Sequence, residues 1–247
     1  MDIAALYAVA AASDPARPFI TFYDDVTGER TELSYLTFDN WVSKTANMLR
    51  DEFDCEPEDT VHIDLPTHWL TAAITVGAWR AGLTITQSAD ADVAFYHESA
   101  ATTLPTRGSS QRLLVSTLPL SIGLRSPEAK AAEERGEAID FLSDVRSHGD
   151  DFFTITPVTQ DTVAWQQSQE SRLSQKELVD AASTRAEELN IGDNRRIMIT
   201  DPAYTMGGMD WILVPLVTKG SVVISMNSGA VDLKARADSE NAHLITS

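Results

Sequence analysis

Between the strand-like run Thr162–Trp165 and a helix that begins near Ser174 stand eight residues, Gln166–Leu173, with the sequence QQSQESRL. A joint from strand to helix is where the backbone N–H groups of a glycine-rich loop can wrap a phosphate. This joint contains no glycine, and the carboxylate of Glu170 would repel the anion. Ser168, Ser171 and Arg172 are the side chains that could still meet a phosphate, while Lys176, one turn into the helix, reads more simply as a surface charge. Ser174 and Glu177 have the Ser-x-x-Glu spacing of a capping box, so the start of the helix is written into the chain where the phosphate grip is not. A second stretch of interest is Met206-Gly207-Gly208-Met209. Paired glycines ahead of an apolar helix allow close backbone approach and could border a small cleft, although the geometry of a helix start asks for the same residues.

Other chemistries find less support. His62, His68, His97, His148 and His243 are scattered, with no HExxH and no i, i+4 pair, so no metal site is predicted. No Gly-x-Ser-x-Gly elbow occurs. Asp24-Asp25, Asp90 with Asp92, and Asp150-Asp151 could each bind a cation, but a hairpin tip and two polar loops account for them. Trp69, Trp79, Trp165 and Trp211 fall on apolar segments and read as core. Cys55 is the single cysteine, which rules out an internal disulfide and fits a reducing compartment.

The elements that would position these residues follow from pattern. MDIAALYAVAAASDPARP lacks the basic flank of a signal peptide and reads as an amphipathic first helix that stops before Pro15. FITFYDDVTGERTELSY alternates on either side of Asp24–Gly28, a hairpin signal. Ser34 stands at an N-cap, with Phe38, Trp41, Val42, Thr45, Met48 and Leu49 at helical spacing behind it. Val61–Leu65 reads as a strand, Trp69–Ala81 as an apolar helix closed by Gly82, and Leu83–Thr86 as a strand. Val93–Tyr96 and Arg112–Ser116 are short strand-like runs, followed by a charged helix around PEAKAAEERGEAIDFLSDV. The longest uncharged stretch, Leu65–Trp79, is shorter than the roughly 20 residues of a membrane-spanning helix and contains Pro66.

The last third of the chain repeats the order of the first: helix, acidic turn, strand, proline, apolar helix, glycine, strand. Ser34 and Ser174, Pro66 and Pro202, and Gly82 and Gly220 are offset by 140, 136 and 138 positions. So steady an offset points to duplication, with units at about 33–87 and 163–226 joined by a connecting region 88–162. Helix and strand alternating in this way predict an α/β fold with two mostly parallel sheets layered with helices.

This order of landmarks resembles the large N-terminal domain of the adenylate-forming superfamily, the AMP-forming acyl-CoA synthetases and their relatives. The residues that carry it are Thr31-Glu-Leu-Ser-Tyr, Pro57-Glu-Asp-Thr-Val-His-Ile-Asp-Leu-Pro, Gly77-Ala-Trp-Arg-Ala-Gly, the run Ile191–Met209, and Pro215-Leu-Val-Thr-Lys-Gly-Ser-Val-Val-Ile. The chain is also similar to short actinobacterial proteins of unassigned function. The resemblance implies a single truncated domain over 1–247. Such enzymes join a carboxylate to AMP and grip the triphosphate with a Ser/Thr-Ser-Gly-Ser/Thr-Thr-Gly-x-Pro-Lys-Gly loop. In this chain Gln166–Leu173 stands in its place. A second departure is Thr205, where the family usually has histidine, while Gly208 matches a family glycine.

The resemblance, taken with these departures, implies a non-catalytic relative that binds a partner protein or a small ligand. Half of a split ligase completed by another chain, and a structural subunit of an oligomer, are the alternatives. No catalytic residue and no cofactor are assigned. A ligand-binding cleft at the degenerate loop and the glycine segment would be lined by Trp165, Gln166, Ser168, Arg172, Tyr204, Thr205, Gly207 and Gly208. Expected partners are a second protein or copy of the chain, or a small acyl or nucleotide ligand. With 37 acidic against 19 basic residues, a formal charge of −18, nucleic acid and anionic membranes are not expected partners. A cytoplasmic location is expected.

Overall fold

A computed structural model describes all residues except Thr106, Arg107, Ser109, Ser110, Gln169, Thr205, Ala230, Thr246 and Ser247. The chain forms two compact units, one of residues 1–39 with 176–247 and one of residues 40–175.

The first unit opens with α1 (Ile3–Ala11), where the Asp2 carboxylate accepts from Ala5 N at 2.8 Å and caps the helix. Its Ile3, Leu6, Tyr7 and Ala10 recur at helical spacing and are buried. The predicted hairpin follows as β1 (Pro18–Asp24) and β2 (Glu29–Ser34), paired antiparallel. Ser34 Oγ accepts from Thr37 N at 3.1 Å, and α2 (Tyr35–Asp51) starts there as the sequence predicts. Tyr7, Phe19, Tyr35 and Phe38 pack ring on ring, with Phe19 and Tyr35 centroids 4.5 Å apart. The Tyr35 hydroxyl, buried among them, donates to Gly220 O at 2.6 Å.

Helix α2 carries the chain into the second unit. Its elements are β3 (Thr60–Asp64), α3 (Trp69–Ala81), β4 (Thr84–Thr86), β5 (Val93–His97), β6 (Gln111–Val115), α4 (Pro127–Glu134), β7 (Ile139–Asp140), α5 (Phe141–Asp144), β8 (Val163–Gln166) and β9 (Arg172–Ser174). They build a seven-stranded sheet in the order β7-β6-β5-β3-β4-β8-β9, in which only the β8–β9 pairing is antiparallel among the described residues. Two expectations change here. The charged stretch after Ser126 is not one helix: Gly136 turns the chain, and the Asp140 carboxylate, accepting from Leu142 N and Ser143 N, starts a new short helix. The connector Gln166–Leu173 does not run straight from strand to helix, because Arg172–Ser174 returns as a strand against β8.

The chain then re-enters the first unit through α6 (Gln175–Glu188), followed by β10 (Arg196–Thr200), α7 (Val214–Val217), β11 (Ser221–Met226), α8 (Leu233–Ser239) and β12 (His243–Ile245). Their strands complete a five-stranded sheet, β12-β10-β11-β1-β2, parallel except for β1–β2. The fold is therefore mixed α/β with two mostly parallel sheets. No helix among the described residues is long and apolar enough to cross a membrane.

Candidate functional site

In the seven-stranded sheet the chain runs from β3 to β4 on one side and then crosses back to β5 on the other side of β3. Open parallel sheets bind ligands outside the carboxyl ends of their strands at such a reversal. The register sets His62 of β3 opposite Thr86 and Ala94, and Asp64 opposite Tyr96. His97 ends β5, and His68 caps α3 just beyond β3, its Nδ1 accepting from Leu70 N at 3.2 Å. Three histidines that look scattered in the sequence thus belong to two adjacent strands and the turn after one of them.

His97 is half-buried and well specified. Its Nδ1 lies 2.8 Å from Ser99 Oγ and accepts from Ser99 N at 3.3 Å, which in the neutral ring leaves the proton on Nε2, 3.1 Å from Thr117 Oγ1. Burial holds its pKa below the usual histidine value; the negative charges of Glu98 and Asp64 oppose this and His68 adds to it. The ring is neutral at pH 7 and presents a donor and an acceptor, each next to a hydroxyl. Glu98 beside it is buried. Its carboxylate accepts from Ser116 Oγ at 2.6 Å and from Arg125 N and Ser126 N at 2.7 and 2.9 Å. Burial would raise its pKa, but these three donors hold it below the ordinary carboxylate range. Glu98 therefore fastens the segment after β6 and is not placed to orient His97. This edge can bind and orient a polar group. Just past β6, Leu118, Leu120 and Ile122 are 46, 96 and 68% exposed.

The sequence-derived residues Trp165, Gln166, Ser168 and Arg172 lie on the flank of the same edge, in the β8–β9 hairpin. Trp165 is buried, aligned with Ile85 on one side and Leu173 on the other. Gln166 stands opposite Thr86 and Arg172. The turn is closed by Gln167 N donating to Ser171 O at 3.0 Å, and by Ser171 N donating to Ser168 O and Oγ, each at 3.2 Å. Two N–H groups that a phosphate loop would turn outward are spent inside the hairpin.

Tyr204, Gly207 and Gly208 belong to the first unit, and Thr205 lies outside the described residues. Met206, Gly207 and Gly208 all have left-handed backbone, with φ of 45, 68 and 76°. A Cβ on Gly208 would stand 2.8 Å from Ile212 Cδ1 and 3.0 Å from Trp211, so this glycine is fixed by packing. Gly208 O accepts from Trp211 N and Ile212 N, opening a π-helical turn, Met209–Leu213, where a regular helix is expected. Asp210 in that turn meets Arg185 in a two-pronged ion pair at 2.9 and 3.0 Å. The structure thus groups the predicted residues in two sets, one in each unit. The histidine edge is absent from the sequence reading. The signal for it, His97-Glu98 at the end of a buried strand-like run, becomes visible only with the strand order in hand. Among the described residues no three of His, Cys, Asp and Glu are grouped as a metal site.

Several solved structures similar to this chain are acyl-CoA synthetases. An acyl-CoA synthetase from Brucella canis matches 99% of this chain and 47% of its own, with a TM-score of 0.73 and 13% identity. The N-terminal domain of FACL13 from Mycobacterium tuberculosis matches over 98%, and 61% of its own chain, with a TM-score of 0.71 and 12% identity. The fold is that of acyl-CoA synthetases in their N-terminal domain. An acetoacetyl-CoA synthetase from Streptomyces lividans agrees, with a TM-score of 0.71 and 17% identity over 98% of this chain and 41% of its own. The chain thus spans less than half the length of two of these synthetases. In sequence, a TIGR03089 family protein of Mycobacterium tuberculosis is 52% identical over 83 residues, 33% of this chain and 34% of that protein. No family model matches the chain.

Proposed function

We propose that this chain is a non-catalytic relative of the AMP-forming acyl-CoA synthetases that binds a partner protein or a small ligand in the cytoplasm. The observation that carries this reading is the β8–β9 hairpin. Where the resemblance calls for a phosphate loop, there is no glycine to let backbone approach a triphosphate, the N–H groups of Gln167 and Ser171 are engaged within the turn, and Glu170 adds negative charge. Holding and screening the triphosphate is what adenylate formation requires, since positioning and charge stabilisation supply most of the catalysis in phosphoryl chemistry.

The test is ATP–pyrophosphate exchange with a mixture of carboxylates. No exchange is expected; exchange by the isolated chain would overturn the reading, and exchange that appears only with a second chain would replace it with a split ligase. For the ligand, the carboxyl edge of the seven-stranded sheet offers the neutral His97 with the Ser99 and Thr117 hydroxyls, next to exposed Leu118, Leu120 and Ile122. A polar head with an acyl tail fits that chemistry. Thermal shift with fatty acids, acyl-CoA, AMP and ATP should show saturable stabilisation by an acyl compound, because binding to the folded state alone raises its stability by mass action. His97→Ala should abolish that shift while leaving the fold intact.

A further inference from the structure

The opposite edge of the seven-stranded sheet, at the amino ends of its strands, carries a groove that the reading above does not use. A cavity of about 220 Å³ lies between the end of α2, the turn before β3 and the segment 152–156, with Arg50, Cys55, Pro57, Ala81, Phe152 and Ile155 in its wall. One stripe of α2 grips the backbone leading into that segment. Lys44 Nζ donates to His148 O, Asn47 Nδ2 to Gly149 O and Asp151 O at 3.0 and 2.9 Å, and Arg50 Nη1 to Phe153 O at 2.6 Å. Lys44 also pairs with Asp150 at 3.1 Å, and the Arg50 guanidinium lies over the Phe152 ring at 4.8 Å. Pinned in this way, the segment turns Phe152 inward and holds Phe153 and Ile155 out, 78 and 83% exposed.

Beyond Arg50, the charge in the wall of this groove is acidic. In Asp51–Asp59, DEFDCEPED, six of nine residues are acidic and none is basic. Asp54 and Glu56 belong to the cavity wall itself, and Arg50 is already matched by the Asp51 carboxylate at 2.6 and 2.9 Å. The buried Cys55 thiol reports the same field: burial first, then the charges of Asp59, Asp92 and Asp54, push its pKa up to about 12.

We propose that this groove docks a segment of a partner protein that combines basic side chains with an apolar anchor, the anchor seated against Phe153 and Ile155 and the cations facing Asp54 and Glu56. The chemistry selects this occupant. A second copy of the chain would bring −18 charge against −18, and nucleic acid or anionic lipid would be repelled in the same way. A neutral apolar segment would cover Asp54 and Glu56 without pairing them, at the cost of desolvating two carboxylates. Because the backbone from His148 to Phe153 is already pinned by α2, docking loses little entropy in ordering that stretch of chain. The proposal rests on the partner-protein half of the function proposed above and gives that partner a chemical class.

The test uses the full chain and a short fluorescein-labelled peptide of alternating lysine and leucine with one tryptophan, followed by fluorescence anisotropy. Saturable binding that weakens with added salt is expected, as is a loss of about tenfold or more on replacing the two anchors, Phe153→Ser with Ile155→Ser, and a similar loss for Asp54→Asn with Glu56→Gln. Thermal melts of these surface variants establish that they fold, and Ile155→Asp provides a second anchor variant. Unchanged affinity in the anchor variants would mean only diffuse attraction to an acidic protein and would overturn the proposal, as would equal binding of a peptide with serine in place of lysine. His97→Ala should leave peptide binding unchanged. Failure here is thus separate from failure of the ligand reading at the carboxyl edge.

Discussion

The hairpins β1–β2 and β8–β9 hold the same topological place in their two sheets. Each joins its sheet by pairing its first strand in parallel, with β11 in one case and β4 in the other, and each puts its second strand on the edge. Each also leads directly into a helix, α2 or α6. Their tips are built differently. In the first, the Asp24 carboxylate accepts from Val26 N, Thr27 Oγ1 and Asn227 Nδ2 at 3.0, 2.8 and 2.8 Å, with Gly28 at φ 75°. Beside that tip Tyr23 donates to Glu240, and the guanidiniums of Arg236 and Arg30 stand 4.4 and 5.4 Å from the centre of its ring. The second hairpin has strands of four and three residues and a tip closed by backbone bonds and Ser168. The topology needs a hairpin at this position to finish a sheet, whereas the chemistry of the tip is free to differ. That freedom is where a phosphate grip would be kept or lost.

The comparison breaks most decisively at the seat of the second hairpin. Trp79 is fully buried, its Nε1 donates to Ala164 O at 2.9 Å, and its carbonyl accepts from Gln175 Nε2 at 2.8 Å. Trp79→Ala should lose about 3–5 kcal/mol in urea unfolding, since it opens a cavity and strands a buried carbonyl. A loss below about 1 kcal/mol would show that β8 is held by other means.

At the first hairpin the expected effect is smaller and depends on pH. Burial alone would raise the Glu240 carboxyl, but hydrogen bonds from Tyr23, Arg196 and Arg30 bring it to about 2. A folded-state value below the unfolded one gives stability that is complete above about pH 5 and lost as the pH falls from the ordinary carboxylate range toward 2. Glu240→Gln should cost about 2 kcal/mol at pH 7 and flatten this acid limb, measured by denaturant melts at several pH values. Parallel curves for the two proteins would remove Glu240 from the account. His97 acts in the same sense nearer neutrality. Its folded-state pKa is depressed, so its contribution is present above the unfolded value of about 6.5 and falls as the pH drops below that. His97→Gln should remove that slope from the melts, and a retained slope would place it on another group.

The smallest effect is expected at the second tip. Glu170 is exposed, and Glu170→Gly should change stability by less than about 0.5 kcal/mol. By the reading proposed here it should also fail to confer ATP binding, because the inward N–H groups of Gln167 and Ser171 stay engaged. An ATP-dependent thermal shift in that variant would show that charge, rather than the closed turn, kept the nucleotide out.

What was legible in the sequence were features decided within a turn or two of chain. Ser34 caps α2 because its hydroxyl is three residues from the N–H it accepts. Gly82 closes α3 and Gly208 opens the turn after it because their backbone is left-handed, which composition and position announce. The split of the charged stretch was hidden, because the charges of Pro127–Asp144 fit one helix as well as two. The break is set by Asp140, which accepts from Leu124 N at 2.8 Å as well as from the helix it starts.

By itself, then, the sequence determined the alternation of strands and helices, two mostly parallel sheets, and the missing glycines between β8 and α6, since each is written in residue type and short spacing. Only the tertiary structure decided that β3 lies between β4 and β5, so that His62, His68 and His97 belong to one edge, and that β8 and β9 pair and draw their turn's N–H groups inward. Both depend on which strands become neighbours. Hydrogen bonding between distant segments sets that, and spacing along the chain does not record it.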